Sequence, residues 1–512
     1  MSRPRIAIVG GGIAGLVAAY EILVSQENLV SQADLANQED TPEVMLYEAS
    51  DRVGGKLLTT PFAGYLVDEG ADAFITRVPH ATELCEELGL GNELVAPSRS
   101  RAFIWSNGAL KPLLKSQVLG VPLDIDELRA SGLVSEAGIA VAEEDLNRAG
   151  DPVKENLATS STVGKLVRQR LGDEIAEKLV FPLIGSINAG NCDLLDLQAT
   201  APLLAEAAVA NASLIAGLAN LRAKSEAEAI SRKKSLFLAP RSGTGEIVRR
   251  LESRLGKQVC LSCPVVSVDM PTIGFANQGS PEHFDAVVLA TPSWAAADLL
   301  STSHPDAAAL LRQIEYASVV LVTLAFDSDY LPDAELFRSG SGFLVPAGEN
   351  MTITACSWAS SKWEHLHSEN MHSENSRESN GEKNNPAILR VSLGRHGDDV
   401  VASADDDHII AKVLSDLKHT MRITSSPLEV RISRWPRSFP QYAPSHSKRI
   451  AEAETLLAQH NIFLAGAGYH GIGIPACIAS GRKAANTALR QVGDHVGDQV
   501  RDQVGDHVGA PR

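Results

Sequence analysis

Residues 10–15 read Gly10-Gly11-Gly12-Ile13-Ala14-Gly15, directly after the apolar run Arg5 to Val9 and directly before a second apolar run. The first run is partly β-branched and reads as a strand; Ala14 to Val24 reads as a helix. In that position the spacing Gly-x-Gly-x-x-Gly has a physical meaning. Gly10 permits the tight turn, Gly12 lets the backbone approach a pyrophosphate, and Gly15 lets the helix pack close to the strand. The first helical turn, with Ile13 and Ala14, then offers free N–H groups to the phosphates. The next strand is read at Glu43 to Glu48. Its terminal Glu48 is placed to accept hydrogen bonds from ribose hydroxyls. Between helix and strand, Ser25 to Pro42 is polar and repeats Leu-Val-Ser-Gln at 23–26 and 29–32. It reads as a surface insertion that lengthens the crossover. Together these features predict a Rossmann-like dinucleotide domain in an α/β protein.

A chain of 512 residues exceeds one small core, and length alone sets an expectation of roughly two to four domains. The formal net charge of −17 argues against non-specific binding to nucleic acid or anionic lipid. The six cysteines, at 85, 192, 260, 263, 356 and 477, are too sparse for a disulfide scaffold and fit a reducing cytoplasm. Cys260 and Cys263 form a Cys-x-x-Cys with no second pair to complete a zinc site, so they read as structural thiols, and no metal is expected. No signal peptide is read at the N-terminus. Ala201 to Leu221 is apolar but interrupted by Glu206, Asn211, Ser213 and Asn220. It reads as a packed helix rather than a membrane span.

Further along, Thr162–Leu171, Glu174–Val180, Gly245–Leu255 and Ala451–His460 read as helices, and Val319–Ala325 and Ala387–Leu393 as strands, the former fully buried. His365 to Asn385 repeats His-Ser-Glu-Asn and has too few apolar residues to offset the entropy of ordering. The tail from Val492 repeats Val-Gly-Asp-His/Gln and reads as disordered.

Two further motifs carry chemistry. Glu48-Ala49-Ser50-Asp51-Arg52-Val53-Gly54-Gly55-Lys56 contains Glu-x-x-x-Arg-x-Gly-Gly. Arg52 offers a charge-assisted fork to phosphate, and Gly54-Gly55 let the backbone close in; the alternative for Arg52 is a surface ion pair with Asp51. Near the other end, Ile462 to Gly468 reads as a strand entering a glycine turn. Tyr469-His470-Gly471-Ile472-Gly473-Ile474-Pro475 then leads into a helix through Ala488.

The Glu48–Lys56 motif resembles the extended signature of the flavin amine oxidase superfamily, which argues for FAD over NAD. The resemblance sharpens toward the bacterial porphyrinogen oxidases at Asp68–Phe74, Phe181–Gly190, Leu389–Gly397, Arg434–Pro436, Gln441–Pro444 and Gly473–Gly481. It departs from them at Ala71, Ala73, Asn188 and Asn191. It covers roughly residues 5 to 490 without the insertions. The resemblance implies one non-covalent FAD, held by Gly10, Gly12, Ile13, Ala14, Gly15, Glu48, Ala49, Arg52, Gly54, Gly55 and Lys56. The backbone of Val266 is implied at the adenine, with Gly466, Gly473, Ile474 and Pro475 closing the site.

The same resemblance implies a two-domain architecture. The discontinuous FAD-binding domain takes 1–99, 231–300 and 431–491. An interleaved α+β substrate domain takes 100–230 and 301–430, with 365–385 a disordered insertion and 492–512 a disordered tail. The implied reaction removes six hydrogens from coproporphyrinogen III in haem synthesis, with molecular oxygen as acceptor and hydrogen peroxide released. Protoporphyrinogen IX is the alternative substrate; an amine oxidase, a carotenoid desaturase and a non-catalytic FAD protein are the rivals. Arginines grip carboxylates bidentately. Arg77 is therefore the first candidate for the substrate's propionates, with Arg437 and Lys56 behind it; each also reads as a solvated surface cation. His470 is the one candidate for proton transfer, and Tyr469 one candidate wall for the aromatic cage of an amine oxidase. The expected setting is cytoplasmic, without nucleic acid or a transmembrane segment. Peripheral membrane contact, monomer or homodimer, and hand-off to a later haem-pathway enzyme are left open.

Overall fold

A computed structural model of the chain describes residues 3–32, 42–152, 161–229, 235–277, 279–366, 386–398 and 403–505. Its first sheet is parallel and five-stranded, in the order Val259–Cys260, Glu43–Tyr47, Arg5–Val9, Ala286–Leu289, Ile462–Leu464. Arg5–Val9 lies at the centre, with Ile6 opposite both Val44 and Ala286. Side chains alternate across a strand, so each strand serves two layers. Ile6 and Ile8 pack with Leu16 and Ala19 of the opening helix and with Ile478 and Ala485 of the C-terminal helix. Ala7 and Val9 pack with Ala296, Leu311 and Leu457 on the other face. Burial on both faces explains why these strands read as unbroken apolar runs.

The opening helix spans Ile13–Gln32, eight residues past the Val24 expected. Extending a nucleated helix costs far less than starting one, so polar residues continue it. The remainder of the expected insertion, 33–41, lies outside the described residues. The same physics corrects the tail. The C-terminal helix runs Ile474–Gly505, well into the repeat read as disordered, and Val492 is buried in the core at 4% exposure; 506–512 of that tail lie outside the described residues. Most of the polar segment read at 365–385 also lies outside the described residues; His365 and Leu366 end a short 3-10 turn.

The second sheet is seven-stranded, in the order Glu429–Pro440, Tyr316–Asp327, Pro386–Leu393, Ile353–Trp358, Gly342–Leu344, Ala102–Ser106, Ala109–Pro112. It is antiparallel except where Gly342–Leu344 runs beside Ala102–Ser106. One face packs on the helix Asp406–Met421. This pairing moves two expected boundaries. Tyr316 lies opposite Pro440 and Ala325 opposite Glu429, so 431–440 belongs with the second sheet. The helices Ser293–Leu300 and Pro305–Arg312 pack on the first, so the first unit continues to about Ile314.

A helical layer completes the fold. In it, the single helix expected over Ala201–Leu221 is two helices, Pro202–Ala210 and Leu214–Ala229. Ser213 breaks the run: its hydroxyl accepts from the Ala216 N–H, and Asp145 accepts from Ser213 Oγ and the Ile215 N–H. The two helices meet at a 110° bend, and among the described residues no single helix is long and apolar enough to cross a membrane. Cys260 and Cys263 are joined as a disulfide with Cα atoms 5.9 Å apart, not left as thiols. Ser262, at a left-handed φ of 52°, turns the chain so that the pair meets.

Candidate functional site: one cavity between two sheets

A single cavity of about 1520 Å³ runs between the two sheets, beyond the about 300–1,000 Å³ usual for one small-molecule site. The first sheet supplies its glycine-rich wall. Gly10 N–H donates to Tyr47 O at 2.9 Å, Gly11 N–H to Glu48 Oε2 at 2.6 Å, and Gly54 N–H to Gly11 O at 2.7 Å. A parallel bridge joins Gly12 to Gly54. Two segments distant in sequence, Gly10–Gly12 and Tyr47–Gly54, thus lie side by side. The Glu48 carboxylate is held at both oxygens, Oε1 accepting from Ser50 N–H and Oγ, and it lines the cavity together with Ala49.

The missing side chains divide these glycines by task. A Cβ on Gly12 would meet no atom within 4 Å, and one on Gly55, Gly466 or Gly473 would make only ordinary contacts. All four line the cavity, as do Gly10, Ile13, Ala14, Gly54 and Ile474. Gly15 does not line it, and a Cβ there would overlap the Gly10 carbonyl. It is a packing residue between helix and turn. The free N–H groups of the first helical turn and the Cβ-free floor before them fit a pyrophosphate, so the residues present suit a dinucleotide cofactor. Among the described residues, the indole Nε1 of Trp294 and Oγ1 of Thr291, on the same cavity, find no hydrogen-bond partner.

The C-terminal loop closes this wall through its own supports. Gly466 N–H donates to Ser480 Oγ at 2.9 Å and Gly471 N–H to Tyr442 Oη at 2.9 Å. Tyr442 Oη in turn donates to Ala467 O. Tyr442 stacks on His446 with ring centroids 4.0 Å apart, and His446 Nε2 bonds Tyr469 O at 2.9 Å. Burial pushes His446 down to about 4.

Several expected contacts are placed elsewhere. Arg52 donates to the carbonyls of Val53 at 3.2 Å and Gly55 at 2.9 Å; it braces the loop from behind and does not line the cavity. Pro475 is buried in the first turn of the C-terminal helix, where its lost N–H costs nothing. A register shift between Val265 and Ser267 leaves Val266 54% exposed, while Cys263 and Val265 face the cavity. Arg77 is exposed and away from the cavity. Arg437 lies behind the wall, its guanidinium 3.8 Å above the Trp294 ring. His470 faces outward and bonds Glu454 Oε1 at 2.7 Å. Tyr469 is 1% exposed and bonds Thr291 O, so it forms no wall.

Lys56 does line the cavity and donates to the Ser438 carbonyl. Its side chain is exposed toward the cavity, yet the protein packed around it draws its ammonium below the usual lysine range. Beneath it lies an ionic hub. Asp72 accepts from Lys362 at 2.9 Å and from Trp363 Nε1 at 3.1 Å, with Arg390 Nη1 at 3.1 Å. Despite its burial, these cations hold its carboxyl well below the usual range. Glu69 accepts from Ser433 Oγ at 2.8 Å and Thr60 Oγ1 at 2.7 Å. Residues 68–72 therefore tie the glycine wall to the second sheet.

The second sheet supplies the other wall. Val319 and Leu321 are half-buried, within a strand expected to be fully buried, because both face the cavity. Arg395 and His396, which follow the strand Pro386–Leu393, line it as well. Neither was singled out from sequence, although a cation pair bracketed by Gly394 and Gly397 after a strand was a readable signal.

Comparison with known proteins agrees with this geometry. Coproporphyrinogen III oxidase of Bacillus subtilis is 31% identical over 95% of this chain and 98% of its own. The Mycobacterium tuberculosis protein of the same name is 30% identical over 96% of this chain and 98% of its own. A solved structure from Exiguobacterium sp., provisionally named a protoporphyrinogen oxidase, superposes with a TM-score of 0.79 at 30% identity, covering 96% of this chain and 100% of that one. The family model for flavin containing amine oxidoreductases matches residues 13–489, which includes the helix start at Ile13, the Gly54-Gly55 loop and the C-terminal glycine turn. The chain belongs to that family of flavin enzymes.

Proposed function

We propose that the protein oxidises coproporphyrinogen III to coproporphyrin III with non-covalently bound FAD, consuming three O2 and releasing three H2O2. The observation that carries this reading is the single cavity with two unlike walls, present in a chain matched end to end by relatives named for that reaction. The Cβ-free wall suits a dinucleotide, and the larger-than-usual volume leaves room for a second, broad ligand against Val319, Leu321, Trp294 and Phe439.

When bound, the flavin supplies the hydride acceptor and the route to oxygen. The chain's own residues position and enclose. In this reading Gly10, Gly12, Ile13, Ala14, Gly54 and Gly55 take the pyrophosphate, Glu48 takes the ribose, and Gly466, Gly473 and Ile474 close over the ring system. Buried Cys477, also on the cavity, has its thiol pushed up to about 11; a thiol kept neutral is a poor nucleophile, which supports a non-covalent cofactor. Discontinuous units meeting on this cavity, and work in the cytoplasm, belong to the same proposal.

The deciding experiment is a side-by-side turnover assay with coproporphyrinogen III and protoporphyrinogen IX, reading porphyrin fluorescence and peroxide, with flavin absorbance followed after anaerobic mixing. Flavin bleaching with a higher kcat/KM for coproporphyrinogen III is expected. A higher value for protoporphyrinogen IX reverses the substrate order. A flavin that stays oxidised with both ends the oxidase reading.

A further inference from the structure

Among the described residues, the basic side chains that line the cavity are Lys56, Arg168, Arg395 and His396. Arg168 is saturated by Asp173 at 2.6 Å, Glu177 at 2.9 Å and Asp193 at 3.0 Å. His396 rests on Glu315 at 2.8 Å. Lys56 belongs to the glycine wall and donates to a carbonyl. Arg395 stands apart from all three. Its Nη2 donates to Val345 O at 2.8 Å, and among the described residues no carboxylate bonds to it. Asp398 acts on it only at longer range, and burial draws the guanidinium below its ordinary range. A guanidinium has five N–H donors, so most of its capacity is unspent. A desolvated cation without a counter-ion is costly to keep, and an entering anion relieves that cost.

The side chain is also held in advance. Gly394 has a left-handed φ of 90°, and a Cβ there would sit 2.6 Å from Ser318 O. His396, on the other side of Arg395, donates its N–H to Ala189 O at 2.7 Å, and Asp398 N–H returns to Arg395 O at 2.9 Å. The backbone under Arg395 is thus pinned to the sheet on one side and to the end of the helix Phe181–Asn188 on the other. The Val345 carbonyl fixes one arm of the fork and leaves the rest for a ligand.

We propose that Arg395 anchors a carboxylate side chain of the macrocycle, so that the cavity selects a polycarboxylate porphyrinogen. The proposal rests on the reading of the cavity as a porphyrinogen site. A carboxylate matches the planar fork with two parallel hydrogen bonds, which a lysine at this position cannot reproduce. It also assigns to Arg395 the role expected of Arg77 and Arg437, neither of which lines the cavity.

The test is equilibrium binding of coproporphyrin III and of its tetramethyl ester to the flavin-loaded protein, read by quenching of tryptophan fluorescence, with KM for coproporphyrinogen III measured alongside. Arg395→Met should keep its flavin absorbance and bind the free acid about tenfold to a hundredfold more weakly. Its affinity for the ester should equal the parent's. Arg395→Lys should recover part of the loss. A parent that does not distinguish acid from ester overturns the proposal, and that measurement needs no variant to fold. Equal affinity of parent and Arg395→Met for the acid, or an unchanged KM in the variant, overturns it too while leaving the oxidase reading intact. If the acid is selected through Arg395 but porphyrinogen never reduces the flavin, the anchor stands and the oxidase reading falls.

Discussion

Gly12 and Gly15 lie three residues apart and lack a side chain for opposite reasons. At Gly12 a Cβ would point into empty cavity; at Gly15 it would run into the Gly10 carbonyl. The same substitution therefore separates binding from folding. Gly12→Val should give a folded protein without flavin, because its Cβ meets no described atom within 4 Å and the side chain grows into the space a pyrophosphate needs. Gly15→Val should lower stability by about 1–3 kcal/mol or more, since neither backbone segment can give way. Flavin absorbance per polypeptide and the thermal midpoint of the flavin-free proteins separate the two. A yellow Gly12→Val protein would remove this loop from the cofactor site. Residue chemistry also explains which cavity-lining residues could be read in advance. Gly12, Glu48 and Gly54 act through backbone conformation and local spacing, and sequence records both. Arg52, Arg437 and His470 act through where a long side chain ends: Arg52 curls back on the carbonyls of its own loop, His470 turns to Glu454, and Arg437 lies over Trp294 on another element, and spacing in the sequence records none of these choices.

At the level of elements, the helix His446–Ala458 carries a pH-sensitive brace for the C-terminal glycine loop. His446 is 1% exposed, stacked on Tyr442 and bonded to Tyr469 O, and burial lowers it from 6.5 to about 4. Because the folded value lies below the unfolded one, the unfolded chain takes up the proton first. Stability from this group is full above pH about 6.5 and is lost toward pH 4, at about 1.4 kcal/mol per pH unit and up to about 3 kcal/mol in all. Thermal midpoints at pH 7 and pH 5 should therefore converge in His446→Gln relative to the parent. An identical pH dependence in both proteins would show that the group is not buried neutral. Strands such as Arg5–Val9 and Ile462–Leu464 could be read from sequence because a doubly covered sheet demands apolar runs at every position. Helix ends could not. The opening and C-terminal helices outrun their apolar pattern because propagation is cheap, and the helix expected at Ala201–Leu221 breaks because Ser213 finds Asp145 across the fold.

On the scale of the whole molecule, the chain crosses repeatedly between a sheet that carries Cβ-free loops and a sheet that offers half-buried apolar side chains, and both end on one cavity. The expected domain limits missed where the crossings occur, at about Ile314 and Pro440, because strand pairing between Tyr316–Asp327 and Glu429–Pro440 is non-local and leaves no local mark. The two walls should be separable by mutation. Leu321 faces the cavity from the second sheet, lies opposite Ser392 and Ser433, and is not packed into the closed core. Leu321→Glu therefore adds a carboxylate where the chain has open space, so the fold and the glycine wall should survive it. A polyanionic porphyrin, however, would meet a like charge at a half-buried position, where repulsion is screened less than on the open surface. The expected result is flavin content equal to the parent's and coproporphyrin III affinity lowered about tenfold or more, with the tetramethyl ester much less affected. Loss of flavin instead, with porphyrin affinity unchanged, would show that the second sheet serves the cofactor and that the macrocycle enters from elsewhere.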